Sequence, residues 1–469
     1  MAPKQRLDLR APGARTFLRL LSNTLLVSVT NYTVWFAITF YVYLETRSVF
    51  ATGVLAGLFL VFTAATGIWF GSLVDHHDKK TMMLLSGVGS LVFYVIAFVI
   101  YLAAPEGTFK DATSPYLWTL VVVLMFGVIV GNIRTITLPT MVTALIEEGQ
   151  RDRANGLTGT TAGVSMLVTS VISGVLVAQG GMTYVLIGGI AVLTLASLDV
   201  IITRVPRIVA SEGSDEPKRV DVRGTVKIIR GIPGLMALIL FATFNNFLGG
   251  AFMALLDAYG LSLVSVEVWG FLWGGLSSAM ILGGLLIART GLGSNPVRTL
   301  LLVNLVLWTI TLGFPIQPSI ALLTAGLFIY LLLIPAAEAA EQTILQKVVP
   351  YERQGRVFGF AQSVEQAASP LTAFLISPIA EFLVIPFMTT GSGADLIGDW
   401  FGTGPDRGIA LVFIMVGFLG IITTVIALRS TRAAIHWAAN APSMARWSTD
   451  KVSVIWVSTR TSPSTTTGA

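Results

Sequence analysis

Gly71-Ser72-Leu73-Val74-Asp75-His76-His77-Asp78-Lys79-Lys80 stands between two long apolar runs, 49–74 before it and 81–103 after it. A helix crosses the hydrocarbon core of a bilayer in about 20 residues. Each flanking run is long enough to do that, and the charged break between them is too short for anything but a tight turn. The reading is two membrane-crossing helices joined at the surface.

The pattern repeats outward from this turn. Apolar runs between polar breaks give twelve candidate spans: 17–44, 49–74, 81–103, 116–144, 156–179, 183–203, 233–258, 265–288, 299–315, 319–346, 357–385 and 408–428. Composition agrees. Of the 469 residues 54% are hydrophobic and 12% charged, and mean hydropathy is +0.79, whereas a soluble domain carries roughly 25% charged residues. Lipid is therefore the solvent for most of the chain, and the expected fold is an all-α membrane protein of twelve transmembrane helices in two six-helix bundles.

Lys and Arg set the orientation. With the N-terminus in the cytoplasm, the cytoplasmic segments hold 26 of the 30 Lys and Arg, the far side holds Arg47, Lys110 and Arg407, and Arg134 lies within a span. Both termini are expected in the cytoplasm. The divisions are a segment 1–16, a bundle 17–203, a cytoplasmic linker 204–232, a bundle 233–428 and a disordered tail 429–469. The polar run Ser211–Arg219 marks the linker as flexible, and the Ser/Thr-rich end marks the tail. Cysteine is absent and histidine is limited to His76, His77 and His436. Disulfides, zinc ribbons and thiol nucleophiles are excluded. No cofactor or metal site is expected, and His76-His77-Asp78 reads as a solvated turn. No phosphate-binding glycine loop occurs, and no cluster of catalytic groups gathers at one interface, so the chain is not read as an enzyme.

Glu148-Gly149-Gln150 and Glu352-Arg353-Gln354 share E-x-Q at an offset of 204, each after a long span. With the six-plus-six division this suggests two parallel halves. The same offset sets Arg134 opposite Glu338, each 9 to 13 residues from its loop, roughly 14–20 Å deep. Gly53-x-x-x-Gly57 and Gly270-x-x-x-Gly274 suggest close helix contacts.

These features resemble the major facilitator superfamily. The turn is similar to that family's G-x-L-a-D-R-x-G-R-R/K loop: Gly71, Leu73, Asp75, Lys79 and Lys80 match, while His76 and Asp78 depart. Val348-Val349-Pro350-Tyr351-Glu352-Arg353-Gln354-Gly355-Arg356-Val357-Phe358-Gly359 resembles the stretch after span 10 in the macrolide-efflux-like branch of drug:proton antiporters, and Leu138-Pro139 with Asn155 fits its span 4–5 pattern. Where exporters often carry G-P-x-x-G-G in span 5, this chain has Thr169-Ser170-Val171-Ile172-Ser173-Gly174. The resemblance implies a conformational latch of Gly71, Asp75, Lys79, Lys80 and Arg356, with Asp75 near the start of span 11, where a helix N-terminus favours an anion.

Ionised groups inside a bilayer cost at least about 2.5 kcal/mol and persist where they face a cavity or a partner. The candidates for proton coupling are Glu338, Glu365, Asp257 and Arg134. A carboxyl stripped of water keeps its proton, and one beside a guanidinium releases it; an Arg134–Glu338 pair made and broken in a cycle would couple the two, or would serve as a static bridge. In this superfamily spans 1, 4, 7 and 10 line the cavity, so Asn31, Tyr32, Trp35, Asn245 and Asn246 are the candidate substrate-binding residues; the alternative for them is helix–helix hydrogen bonding and lipid-facing rings. The expected function is proton-coupled efflux of small amphipathic solutes or drugs by alternating access, as a monomer in a bacterial cytoplasmic membrane, with small-molecule substrate, protons and the bilayer as partners and no nucleic acid. An importer or carrier of a metabolite or lipid is the rival within transport; a scaffold or sensor is the rival outside it.

Overall fold

The computed structural model describes residues 11–46, 49–205 and 221–440. Lys4, Arg6, Arg10, Arg47, the run Ser211–Arg219 and the tail beyond 440 lie outside the described residues. Among the described residues the regular structure is all helix, and twelve helices are long and apolar enough to cross a membrane. Spans 1 to 3 are Pro12–Thr46, Val49–His76 and Lys79–Ala103. Span 4 is Pro115–Gly131 continued by Ile133–Leu145, and spans 5 and 6 are the two arms of Arg151–Ile202. Spans 7 to 12 are Leu235–Leu263, Val266–Thr290, Pro296–Gly313, Ile320–Val348, Gln354–Ile379 and Pro405–Asn440.

Local chemistry explains the breaks. Asp78 starts span 3 by accepting from the Thr81 N–H at 3.1 Å, the side-chain cap that an exposed helix start needs. His76 and His77 each set Nδ1 against the carbonyl four residues back, at 2.7 and 2.9 Å, so the turn is locally satisfied. Spans 5 and 6 fold back at Gly180 and Gly181. Gly181 has φ +56° and ψ −149°, a backbone that only glycine adopts without strain.

Each half has its own apolar core. One gathers Val34, Tyr94, Leu120 and Leu186, the other Tyr259, Trp308, Leu323 and Phe413. A third cluster crosses between halves: Phe70 and Val74 of span 2 pack with Leu345, Val357 and Phe358. It lies at the end of the molecule that carries the 2–3 turn, here termed the basic face.

Among the described residues the close glycine contacts between the halves lie at one end of their interface helices. A Cβ on Gly71 would strike the Gly355 carbonyl, and one on Gly359 would lie 2.8 Å from Gly71 Cα. In the same way Gly156 abuts Ile287 and Ala288, and Gly163 abuts Met280. All these lie in the basic-face halves of spans 2, 5, 8 and 11. Further along, a Cβ on Gly57, Gly174, Gly270, Gly274 or Gly275 would meet nothing within 4 Å. The molecule is a cleft sealed at the basic face and open at the opposite one. Gly57, Gly270 and Gly274 therefore do not form the close contacts that their spacing suggested; Gly67 and Gly71 do so against Gly355 and Gly359, and Gly156 and Gly163 against span 8. Gly359→Val is expected to overpack this seam by about 1–3 kcal/mol and to expose the buried Thr343 at the seal, measured as maleimide labelling of Thr343→Cys in this otherwise cysteine-free chain.

The internal repeat exists, in a different register. Glu147 (φ −57°, ψ 144°) and Gln150 (φ −122°, ψ −2°) precede span 5. Pro350 (φ −54°, ψ 140°) and Arg353 (φ −117°, ψ 2°) precede span 11. The conformations repeat at an offset of 203, one less than the E-x-Q match gave. One residue turns a helix by about 100°, so Arg134 corresponds to Ala337, and Thr135 is the counterpart of Glu338. Both Thr135 and Glu338 are exposed within otherwise buried stretches.

Within 204–232, Val222–Gly231 forms an amphipathic helix burying Thr225 and Ile229, with Arg223, Lys227 and Arg230 exposed. At the open face span 11 continues through a π turn, Ala380–Val384, into the helix Ser392–Phe401.

Candidate functional site

The seal is a set of hydrogen bonds around one carboxylate. Asp75 is 2% exposed. It accepts from the backbone N–H of Gly355, from the N–H of Arg356 at 2.9 Å and from Arg356 Nε at 3.1 Å. Those two N–H groups belong to the first turn of span 11, which has no intrahelical acceptor for them, and the helix dipole adds to the attraction. Lys79, buried, donates to the Val74 carbonyl and lies 5.6 Å from the centre of the Tyr351 ring. Gly71 permits the approach. Lys80 is not part of the seal: it donates to the Ile201 carbonyl at 2.9 Å and so caps the end of span 6 within its own half.

A second junction mirrors the first with its polarity reversed. Asp152, at the start of span 5, accepts from the Leu292 N–H beyond span 8 at 2.8 Å. Between the two, Asn155 donates to Thr343 Oγ1 at 2.9 Å and Gln346 Oε1 at 3.0 Å, and Gln346 donates to the Pro139 carbonyl at 3.1 Å. Thr135 and Gln362 close the floor at 2.8 Å. Sequence reading missed Asp152 and Gln346; polar residues within one turn of a loop are a signal for them.

Above this floor three carboxyls converge in the second half. Glu338 on span 10 is exposed on the cleft, within electrostatic range of the Tyr32 phenol on span 1. One turn towards the seal, Glu341 neighbours Glu365 of span 11. Glu365 Oε1 is buried with no hydrogen-bond partner among the described residues. Among the described residues no Lys or Arg forms an ion pair with any of the three.

Arg134 does not meet Glu338. It is 1% exposed and turned into the first half, where it donates to Asn23 Oδ1 at 2.7 Å and the Met83 carbonyl at 3.1 Å. Asn23 in turn donates to Asp199 at 3.0 Å, which pairs with Arg19 at 2.7 Å. The register explains this: Arg134 sits one position off the cleft-facing stripe that Thr135 occupies. Asp257 lies apart from the carboxyl group and accepts from the Trp269 and Trp273 indoles at 3.0 and 3.3 Å.

The proposed substrate residues divide. Tyr32 is 44% exposed and Asn246 exposed. Asn31 is buried, accepting from Tyr94 at 2.8 Å; it ties span 1 to span 3 and does not reach the cleft. Trp35 stacks on Phe59 of span 2, ring centres 3.9 Å apart. Asn245 accepts from the Trp308 indole at 2.7 Å, facing span 9.

A family profile described as Major Facilitator Superfamily matches residues 20–373. Macrolide efflux protein A of Streptococcus pyogenes is 24% identical over 371 residues, which is 75% of this chain and 86% of that protein. Among solved structures, the human organic anion transporter MFSD10 (TETRAN) superposes with a TM-score of 0.67 at 13% identity, covering 88% of this chain and 100% of that one. A bacterial homologue of the iron transporter ferroportin, in an outward-facing state, gives 0.63 at 13% identity over 88% and 98%. The proton:xylose symporter XylE gives 0.65 at 12% identity over 89% and 96%. At such identities these structures speak for the fold. The chain belongs to the Major Facilitator Superfamily and is a multi-pass membrane transporter, not an enzyme.

Proposed function

We propose that this chain exports small amphipathic solutes in exchange for protons, by alternating access, from a bacterial cytoplasmic membrane in which the basic face and both termini are cytoplasmic. The sealed basic face is then the closed inner gate, with Asp75, Gly71, Lys79 and Arg356 as its latch. The observation that carries the reading is the group Glu338, Glu341 and Glu365 at the floor of the cleft with no basic partner among the described residues. Carboxyls so placed attract a cation and exchange protons with the open side. The macrolide efflux relative supports export, and Tyr32 and Asn246 supply aromatic and amide surface for the solute.

Everted vesicles with an acidified interior test it. A macrolide or cationic dye is expected to accumulate several-fold above the outside concentration and to leave when a protonophore is added. Movement of the solute together with protons would identify an importer. Equilibration without accumulation would identify a passive carrier.

A further inference from the structure

Beside Glu338 the wall of the cleft opens into a chamber of about 250 Å³ between spans 7, 9 and 10. Its polar lining is Asn245, Asn246, Asn304, Tyr330, Glu338 and Glu341, and no Lys, Arg or His contributes to it. The three asparagines are held alike. Asn245 donates its amide N–H to the Phe241 carbonyl at 2.7 Å, Asn246 to Ala242 at 3.1 Å and Asn304 to Leu300 at 2.9 Å, each four residues back. Each spends one amide N–H on its own helix, which orients the side chain, and the oxygens of Asn246 and Asn304 accept from no donor among the described residues. Asn304 is the telling one. It is 7% exposed, lies on span 9 away from the seam between halves, and its oxygen has no donor among the described residues. A buried amide deep in a span is retained for a partner. The Trp308 N–H fixes the Asn245 oxygen in place on the same wall.

The chamber thus presents hard oxygen acceptors and two carboxyls, without a positive charge to balance them. Its volume falls below the roughly 300–1,000 Å³ of sites for drug-sized ligands. Oxygen-only ligation suits hard cations. We propose that this chamber binds a small monovalent cation, either an alkali ion or the protonated amine head of a solute whose body lies in the cleft. The proposal stands apart from the direction of transport and from the ion that drives it.

The test is thermal unfolding of the purified full chain at fixed ionic strength, with NaCl or dimethylammonium chloride replacing tetraethylammonium chloride, whose cation is bulky and has no N–H. A midpoint raised by sodium alone assigns an alkali-ion site, and one raised by dimethylammonium alone assigns an amine site. In either case Asn304→Leu and Glu338→Gln are expected to weaken the apparent affinity about tenfold or more, and Asn304→Asp to strengthen it. Should Asn304→Leu not fold, the other two variants carry the comparison. No shift from either cation, or an undiminished shift in folded Glu338→Gln and Asn304 variants, overturns the proposal.

Discussion

Asp75→Asn is expected to shift the population away from the sealed state by about a hundredfold. The carboxylate accepts three hydrogen bonds, two of them from the bare first turn of span 11. Bonds to a charged acceptor are worth about 1.5–3 kcal/mol each. Asparagine keeps the shape and one acceptor oxygen. Its amide nitrogen, however, meets N–H groups that can only donate, and the charge that the helix N-terminus attracts is gone. A loss of about 3 kcal/mol corresponds to roughly two decades in the equilibrium. Labelling of Thr343→Cys from the basic face reads it directly, because Thr343 lies within the seal. Labelling as slow as in the parent with Asp75 intact would show that the glycine seam and the Asp152 junction hold the gate unaided. Asp152→Asn should act in the same direction by less, since only one of its backbone bonds, from the Leu292 N–H, crosses between the halves.

The span pattern and the Asp75 turn were legible because both rest on strong, local physics. About 20 apolar residues between charged breaks admit one reading in lipid, and a charged turn between two spans has one place to be. What eluded the sequence depends on rotation about a helix axis. The E-x-Q match set the repeat at 204 and faced Arg134 towards Glu338; the backbone repeats at 203, and one residue's turn carries Arg134 into its own bundle. Asn31 and Asn246 differ for the same reason. Both lie near the middle of a cavity-lining span, and only the packing of Gly131 and Tyr94 against the Asn31 amide separates a stitch from a solute contact. Hydropathy gives no phase for a helix that is apolar on every side.

Glycine spacing failed in a related way. A G-x-x-x-G pair states that two backbones can meet, not that they do. In a transporter the same interface helix must touch its partner at one end and leave it at the other. Gly67 and Gly71 meet span 11, while Gly57 on the same helix faces open space. The open glycines mark the part of the seam that would close when the molecule alternates. The acid pair is half legible: Glu365 stands well inside span 11, whereas Glu341 lies within one turn of Glu338 and nearer the basic-face end of span 10. That Glu341 turns to span 11 while Glu338 faces the cleft follows from their three-residue spacing, which spreads neighbouring side chains by about 60° around the helix.

Glu365→Gln is expected to abolish accumulation against a gradient, by tenfold or more, and to leave solute exchange down the gradient intact. Under the proposed exchange, the neighbouring carboxyls of Glu341 and Glu365 take up and release the driving proton. Glutamine in place of Glu365 can still donate to Glu341 and so imitates the protonated pair, but it has no proton to give up. A transporter held in that form can carry solute through both gates without releasing the ion that drives the cycle. Proteoliposomes separate the two activities: counterflow of labelled solute should persist, while uptake driven by an imposed pH difference should fall to the level of protein-free vesicles. Glu338→Gln should differ in kind. It faces the cleft and the cation chamber, so its removal should raise the solute concentration needed for half-maximal counterflow and leave proton-driven uptake measurable at saturating solute. If Glu365→Gln accumulates solute as the parent does, the proton resides elsewhere. If both variants lose counterflow while remaining folded, the three carboxyls work as a single solute site and the division of labour between them is wrong.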